Sequence, residues 1–523
     1  MIIIQTLIGL LLFGAARFMA VRYNMHMLQL NGYKNGEHLH WLKKNISHQW
    51  LLIFGTVLGA VRFILPSLAL DIVCFLTLYL IFLVFRAMKR INTKKKLVFT
   101  PRVKRMLFTD GVLCVVIIAL AARFAGVERL NGVLMILTGF SFAANMVANL
   151  LNRPVEFMVN QYYIQDAKRL LKSVPDLKIV GITGSYGKTS VKFYLLTLLR
   201  EKYNVLATPE SYNTPMGVVR TIRSSLKKNT EIFLCEMGAR HVGDIKEICD
   251  IVHPHCGIIT SIGPQHLETF FNMENIQSTK FELADALPEG GKLFLNGDNE
   301  YVREKAASCE KRECVYYSAG ENTDGYYAKD IVLSQSGTEF TIVSPKGEEE
   351  RFQMRLIGSH NVINVVGAIA AANVLGVPLA ELKIPVRRLA PVAHRMQLLE
   401  RGQVTVIDDA FNSNPVGSKA AVETLAMFDG VRILVTPGMV ELGEKEEEYN
   451  FKFGTYAAKC CDYILLVGKN HTRPIQEGIM SMDFPKERCR VYDRLEEAMG
   501  YAYSIKDPGH KYILLENDLP DNY

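Results

Sequence analysis

The sequence predicts two kinds of structure in one chain: an α-helical membrane region, then soluble α/β domains, the first with a P-loop-type turn and the second Rossmann-like. Three observations predict this. The apolar residues concentrate in the first ~150 positions, in runs long enough to cross a ~30 Å hydrocarbon layer. A short β-branched run, Lys178–Thr183, leads through a glycine turn into a helical pattern. Beyond it, short apolar strands alternate with helical stretches to the end of the chain. At 523 residues, 49% of them hydrophobic, the chain is too long for one ordinary core.

The N-terminal region, residues 1–150, reads as about five spans, near residues 2–20, 49–66, 68–86, 107–124 and 130–150. The first lacks the basic leader of a signal peptide, and further apolar runs follow it. Between the third and fourth spans stand Arg86, Lys89, Arg90, Lys94, Lys95, Lys96, Arg102, Lys104 and Arg105, with no acidic residue among them. The loop after the first holds Arg22, Lys34, Lys43 and Lys44 against Glu37, whereas the connection from Pro66 to Asp71 has no basic residue. Basic loops stay cytoplasmic, so the expected N-terminus is outside and everything past residue 150 is inside. Net charge is +7. Much of the excess lies beside these spans, where it sets topology and attracts anionic lipid, so no nucleic-acid partner is expected. No intramembrane acidic pair or broken-helix symmetry suggests transport; the region is expected to anchor the chain or to present a lipid-linked substrate.

The ten cysteines are scattered, and Cys309 with Cys314 has no second pair at metal-binding spacing. Reduced thiols in a cytosolic domain are expected. After a connector over 151–177, residues 178–390 read as the central domain. Its strand Lys178–Thr183 delivers Gly184, Ser185, Tyr186, Gly187, Lys188, Thr189 and Ser190. Glycines let successive N–H groups turn toward phosphate oxygens, and the helix N-terminus adds about half a positive charge. Lys188 adds a full charge, and Thr189 offers a hydroxyl to Mg²⁺. The strict Walker spacing fails, because Ile182 stands where its first glycine belongs.

Two further strands end in polar residues on the edge where open α/β sheets bind ligands. Glu231–Glu236 delivers Glu236, a hard oxygen donor, and Cys256–Ile262 leads to His266, a second candidate metal ligand. Lys280 follows on the next predicted helix. The stretch Tyr316–Phe352 alternates as an antiparallel patch. Residues 391–523 hold predicted strands Val404–Ile407, Arg432–Val435, Tyr463–Val467, Arg490–Tyr492 and Tyr512–Leu515, a small and mainly parallel α/β domain. The acidic run Glu444–Glu448 reads as a solvated face.

Taken in order, TGSYGKTS, EMGARHVGDI, GPQHLETF, STKFEL, GSHNVINVVGA, HRMQ and DDAFNSNP resemble the Mur ligase family, over roughly residues 178 to 470. Within it the likeness is to the MurF type, which joins D-alanyl-D-alanine to a muramoyl peptide. The resemblance implies an ATP-dependent, ADP-forming amide ligase working through an acyl phosphate. It implies that Lys188 and Thr189 meet ATP phosphates and Mg²⁺, that Glu236 and His266 hold metal, and that Lys280 is carbamylated as a further metal ligand. It places Asn361 and Asn364 near adenine, Arg395 at the transferring phosphate, Asp409 at the ribose, and Asn213 with the nucleotide. Asn412 and Asn414 lie where the family closes its domains, with Phe411 in place of the commoner tyrosine.

The implied partners are a muramoyl-peptide precursor, a D-Ala-D-Ala-like amine, membrane lipids and other wall-synthesis enzymes, at a bacterial membrane with the ligase domains cytoplasmic. Membrane spans stand where the family carries a soluble domain that grips a uridine nucleotide, so UDP-linked and lipid-linked acceptors are both open. The C-terminus, from Leu515 to Tyr523, is acidic where the family's is basic. Two alternatives stand beside D-Ala-D-Ala ligation: another Mur-type ligase (poly-γ-glutamate or peptidoglycan-modifying) and a non-catalytic scaffold for wall enzymes. The presence of Lys188, Glu236, His266 and Lys280 together argues against the scaffold.

Overall fold

Apolar helices open the chain, but they are fewer and less regular than the hydropathy suggests. The computed structural model describes residues 2–88, 96–210, 212–307, 309, 312–320, 324–411, 413–469 and 471–518. It divides near residue 162 into two units. In the first, three helices are long and apolar enough to span a membrane: Gln5–Leu30, Leu68–Met88 and Pro101–Phe124. A fourth span arises if Val127–Gly139 and Ser141–Lys172, bent by 74° at their junction, count as one. Trp50–Ile64 has 15 residues, or ~22 Å of helix, short of a ~30 Å core. Against an expectation of about five spans, three helices among the described residues, or four with the bent pair, have the length and composition to cross a membrane.

The sequence pattern missed the bend between Gly139 and Ser141 because apolar residues continue through it. Glycines hold the two short segments together. A Cβ on Gly59 would lie 2.8 Å from the Gly132 carbonyl oxygen, and one on Gly139 would lie 2.6 Å from that of Leu52. Backbones in contact tolerate only small residues. Two buried acidic residues of this unit are paired with arginines. Arg62 grips Asp71 through two bonds of 2.7 and 2.9 Å, Asn131 adds a third donor at 2.8 Å, and Arg17 meets Asp110 at 2.6 Å. Of the basic cluster, Lys89, Arg90, Lys94 and Lys95 lie outside the described residues. The helix Ser141–Lys172 runs through most of the stretch read as a connector.

The second unit is built on two sheets. The first has nine strands: β1 (Lys178–Thr183), β2 (Val205–Ala207), β3 (Ile232–Glu236), β4 (Cys256–Ile259), β5 (Lys292–Asn296), β6 (Glu313–Ser318), β7 (Gly325–Ser334), β8 (Gly337–Val343) and β9 (Glu349–Met354). Their order is β2-β3-β1-β4-β5-β6-β7-β8-β9, parallel as far as β7 and antiparallel from β7 to β9. The expected antiparallel patch is thus β7–β9, while Tyr316 belongs to the parallel β6. Ile179, Val180 and Ile182 of β1 are fully buried, since helices cover both faces of the parallel part.

The second sheet is ordered β10-β11-β15-β12-β13-β14, formed by β10 (Gln397–Arg401), β11 (Val404–Asp409), β12 (Val431–Thr436), β13 (Tyr463–Val467), β14 (Cys489–Tyr492) and β15 (Lys511–Glu516). Only β10, an edge strand, is antiparallel. In the first sheet the chain reverses its direction of winding around β1, so a crevice opens at the C-terminal ends of β1, β3 and β4. The predicted phosphate loop lies there.

Candidate active site

The loop is shaped by two glycines that no other residue could replace without movement. Gly184 has φ +147° and Gly187 φ +81°. A Cβ on Gly184 would fall 2.1 Å from Thr260 Oγ1, and one on Gly187 would fall 2.4 Å from Asn364 Oδ1. Between them the loop is stitched to the end of β4. Ser185 N–H donates to Ser261 O at 2.6 Å, Ser185 Oγ–H to Gly263 O at 3.0 Å, and Tyr186 O–H to Pro264 O at 2.9 Å. Gly187 caps the helix Lys188–Leu199, so Lys188, Thr189 and Ser190 form its first turn. The Lys188 ammonium folds back to donate to Gly184 O at 2.6 Å and Ser185 O at 3.0 Å. Burial pulls its pKa down to about 8, with Arg395 pushing the same way and Glu236 opposing.

Beside this turn, Glu236 gathers partners. Its Oε1 accepts from Thr189 Oγ1–H at 3.1 Å and from Asn213 Nδ2–H at 3.0 Å. Its Oε2 lies 2.9 Å from Lys192 Nζ, with both side chains essentially excluded from solvent. The sequence reading missed Lys192, whose only signal was its position one helical turn beyond Lys188. Asn213, expected at the nucleotide, is a hydrogen-bond partner of this carboxylate.

His266 is not in that cluster. Its Nδ1 makes a short hydrogen bond to Glu441 Oε2, and Arg240 Nη1 approaches Glu441 Oε1 at 3.3 Å. Burial holds the imidazole below its ordinary pKa, and Glu441 partly offsets this. Glu441 lies between Gly438 and Gly443 after β12, and sequence reasoning did not find it. Lys280 is buried on the helix Met273–Ala286, with Nζ 5.7 Å from the Phe270 ring centroid. Among the described residues it makes no hydrogen bond or ion pair. Burial, reinforced by the charge of Lys188, drives its pKa well below the lysine range, against the pull of Asp244 and Glu282.

The bend before β10 supplies Arg395, and the end of β11 supplies Asp409. The Arg395 guanidinium stacks 4.5 Å from the Phe411 ring, and Asp409 Oδ1 accepts from Met396 N–H at 3.1 Å. Burial raises the Asp409 pKa to about 6, with Arg395 acting against it. His394 Nδ1 lies 2.8 Å from Asp408 Oδ2. Asn364 packs against Gly187. Asn361 spends both ends of its amide on the fold, accepting from Tyr194 O–H and donating to Ile357 O, each at 2.8 Å. Asn414 caps the helix Pro415–Leu425 through Gly417 N–H at 2.8 Å, and Asn412 lies outside the described residues. Glu444, Glu447 and Glu448 are exposed, as expected of a solvated face.

Among the described residues no three His, Cys, Asp or Glu side chains gather as a metal site, and all ten cysteines are free. The donors beside the loop are one carboxylate and one hydroxyl. That set suits Mg²⁺, which keeps several waters and takes one or two carboxylates together with substrate phosphates. It suits zinc poorly. Lys280, a buried amine without an acidic partner in bonding range, has the environment that keeps an amine neutral and open to CO₂.

Comparison with known proteins matches both domains of the second unit. Residues 182–372 match the Mur ligase middle domain, and residues 394–515 match the Mur ligase glutamate ligase domain. The UDP-N-acetylmuramoyl-tripeptide–D-alanyl-D-alanine ligase of Bacillus subtilis is 32% identical over 326 residues, which is 62% of this chain and 69% of that protein. The Escherichia coli enzyme of the same name is 30% identical over 345 residues, 64% of this chain and 75% of that protein. The crystal structure of MurF ligase from Thermotoga maritima in complex with ADP superimposes with a TM-score of 0.61 at 22% identity, covering 69% of this chain and 80% of that one.

Proposed function

The chain belongs to the Mur ligase family of ATP-dependent, ADP-forming peptide ligases, and on that premise we propose that it joins D-alanyl-D-alanine, or a similar dipeptide, to a muramoyl-peptide carboxylate. The observation that carries this reading is the joining of Thr189, Glu236 and Lys192 beside a glycine loop whose lysine is poised over its own carbonyls. In this reading the acceptor carboxylate attacks the γ-phosphorus of ATP, giving an acyl phosphate and ADP. The amine then attacks the acyl carbon and loses a proton, and phosphate leaves from the tetrahedral intermediate.

Two anions meet in the first step, so the chain's main task is to neutralise charge. Lys188 leaves the loop carbonyls for the phosphates. Arg395, held by Phe411, brings a second cation from the C-terminal domain, and Asp409 beside it takes the ribose hydroxyls. Asn361 and Asn364 back the loop helix on the adenine side. Thr189, Glu236, His266 and a carbamylated Lys280 would hold magnesium, which when bound screens the phosphate charge. Closure of the C-terminal domain excludes water that would hydrolyse the acyl phosphate.

The domain division follows the same logic: a helical region over 1–150, a connector over 151–177, a central ATP-binding domain over 178–390 and a C-terminal domain over 391–523. The apolar helices support attachment to a bacterial membrane, with lipids as neighbours, other wall-synthesis enzymes within reach and the ligase domains on the ATP-containing side. They also favour a second reading of the acceptor, in which the muramoyl peptide carries a lipid. The test uses full-length protein in detergent with Mg-ATP and, as the amine, D-Ala-D-Ala or other amino acids in turn. It offers UDP-muramoyl-tripeptide in one arm and its lipid-linked form in the other, and measures ADP and coupled product. Product in either arm supports the ligation and identifies the acceptor. ADP release with other amino acids alone overturns the D-Ala-D-Ala assignment.

A further inference from the structure

A histidine that meets a metal through one ring nitrogen needs its other nitrogen held, because that hydrogen bond sets which nitrogen carries the proton. His266 has such a holder, and it comes from far away in the chain. Glu441 stands 175 residues later, in the segment that follows β12 of the second sheet. Its two oxygens are divided. Oε1 faces Arg240 at 3.3 Å, which leaves Oε2 for His266 Nδ1. Both residues carry left-handed backbone, φ +53° at His266 and +65° at Glu441. Neither is glycine, asparagine or aspartate, so each conformation is strained and persists because the surroundings impose it. Strain on both sides of one contact marks a contact that the fold maintains.

We propose that Glu441 is a positioning residue for His266. It accepts a hydrogen bond from Nδ1–H and leaves the Nε2 lone pair for the metal, so the metal site is completed only when the C-terminal domain is in place. The proposal rests on the reading of His266 as a metal ligand. Arg240 neutralises the second carboxylate oxygen, so that Glu441 serves as acceptor to the ring without remaining an uncompensated charge. A purely structural bridge between the two domains would stabilise their docking and leave metal affinity alone.

The test uses the full-length protein in detergent with ADP and Mn²⁺ as the probe, free Mn²⁺ being read by electron paramagnetic resonance. Glu441→Gln is expected to weaken Mn²⁺ binding roughly tenfold, as loss of such outer partners does. His266→Ala should weaken it at least as much, the double variant no further, and Glu441→Asp should recover part of the loss. Unchanged Mn²⁺ affinity in Glu441→Gln with a loss in His266→Ala overturns the positioning role alone. Unchanged affinity in His266→Ala overturns the metal reading beneath it. Should Glu441→Gln fail to fold, nitrogen-15 spectra of histidine-labelled wild-type protein decide. The Nδ1–H tautomer at His266 supports the proposal, and the Nε2–H tautomer refutes it.

Discussion

Lys192 and Glu236 form an ion pair at 2.9 Å with both side chains essentially out of solvent, and its disruption gives the most demanding test of how the site is built. At an effective dielectric of 20, charges at that distance attract by ~6 kcal/mol. Desolvation offsets much of this, and removing one partner of such a pair costs about 3–5 kcal/mol, because the other charge stays buried without compensation. Glu236 keeps Thr189 and Asn213 on its other oxygen, so the lower end of that range applies to Lys192→Met. In a domain of this size 1 kcal/mol moves Tm by ~2–4 °C, so the expected fall is about 6–12 °C. Lys192→Met with Glu236→Gln removes both charges and should recover at least half of it. Differential scanning fluorimetry of the detergent-solubilised chain reads both. A fall below ~2 °C in the single variant, or a double variant no better than the single, would refute the pairing.

Three further outcomes follow from the same geometry. Lys280→Ala is expected to abolish turnover, Lys280→Arg not to restore it, and small carboxylates to rescue the alanine variant in part; wild-type turnover from Lys280→Arg would exclude a carbamate. Gly187→Ala puts a Cβ at φ +81° and 2.4 Å from Asn364 Oδ1, so ADP affinity measured by calorimetry should drop about 5- to 30-fold for ~1–2 kcal/mol of backbone strain, and an unchanged Kd would contradict the loop assignment. Glu516 is buried and its pKa is raised to about 7 from 4.5, chiefly by desolvation, against the hydroxyls of Ser413 and Thr436. In that window the native state holds more protons than the unfolded one, so stability falls as pH rises from ~4.5 to ~7. The Tm advantage of Glu516→Gln over wild type should therefore grow between pH 5 and pH 8, and a constant difference would show that Glu516 is ionised in the native protein throughout.

How much could be read from sequence follows from what burial does to residue choice. A strand covered on both faces must be apolar throughout, so Ile179, Val180 and Ile182 announced β1, and the glycines after it announced the turn. An edge strand has no such constraint: β10, with the mixed run Gln397–Arg401, passed unnoticed, as did the three-residue β2. Hydropathy counts apolar residues and is blind to where a helix turns, which is why the bend between Gly139 and Ser141 inside the expected span 130–150 went unseen. Lys192 was illegible for a different reason. A lysine in a helix is solvated by default, and only the placement of Glu236 at the end of β3 directs it inward. The resemblance to Mur ligases supplied Lys280, which its local sequence would never have singled out.

Lys188 and Lys192 show how the fold divides one chemical type between two tasks. They lie one turn apart on the same helix, and both lose solvent. Lys192 has a carboxylate of opposite charge and is fixed by it. Lys188 donates only to two loop carbonyls, neutral acceptors, and burial pulls its pKa down to about 8. An anion arriving at the loop therefore replaces weak partners with a strong one for Lys188 and changes nothing for Lys192. The site holds its carboxylate with one lysine so that the other remains free to exchange partners. Substituting the two lysines in turn should accordingly separate stability from nucleotide binding, with Lys192 carrying chiefly the first and Lys188 the second.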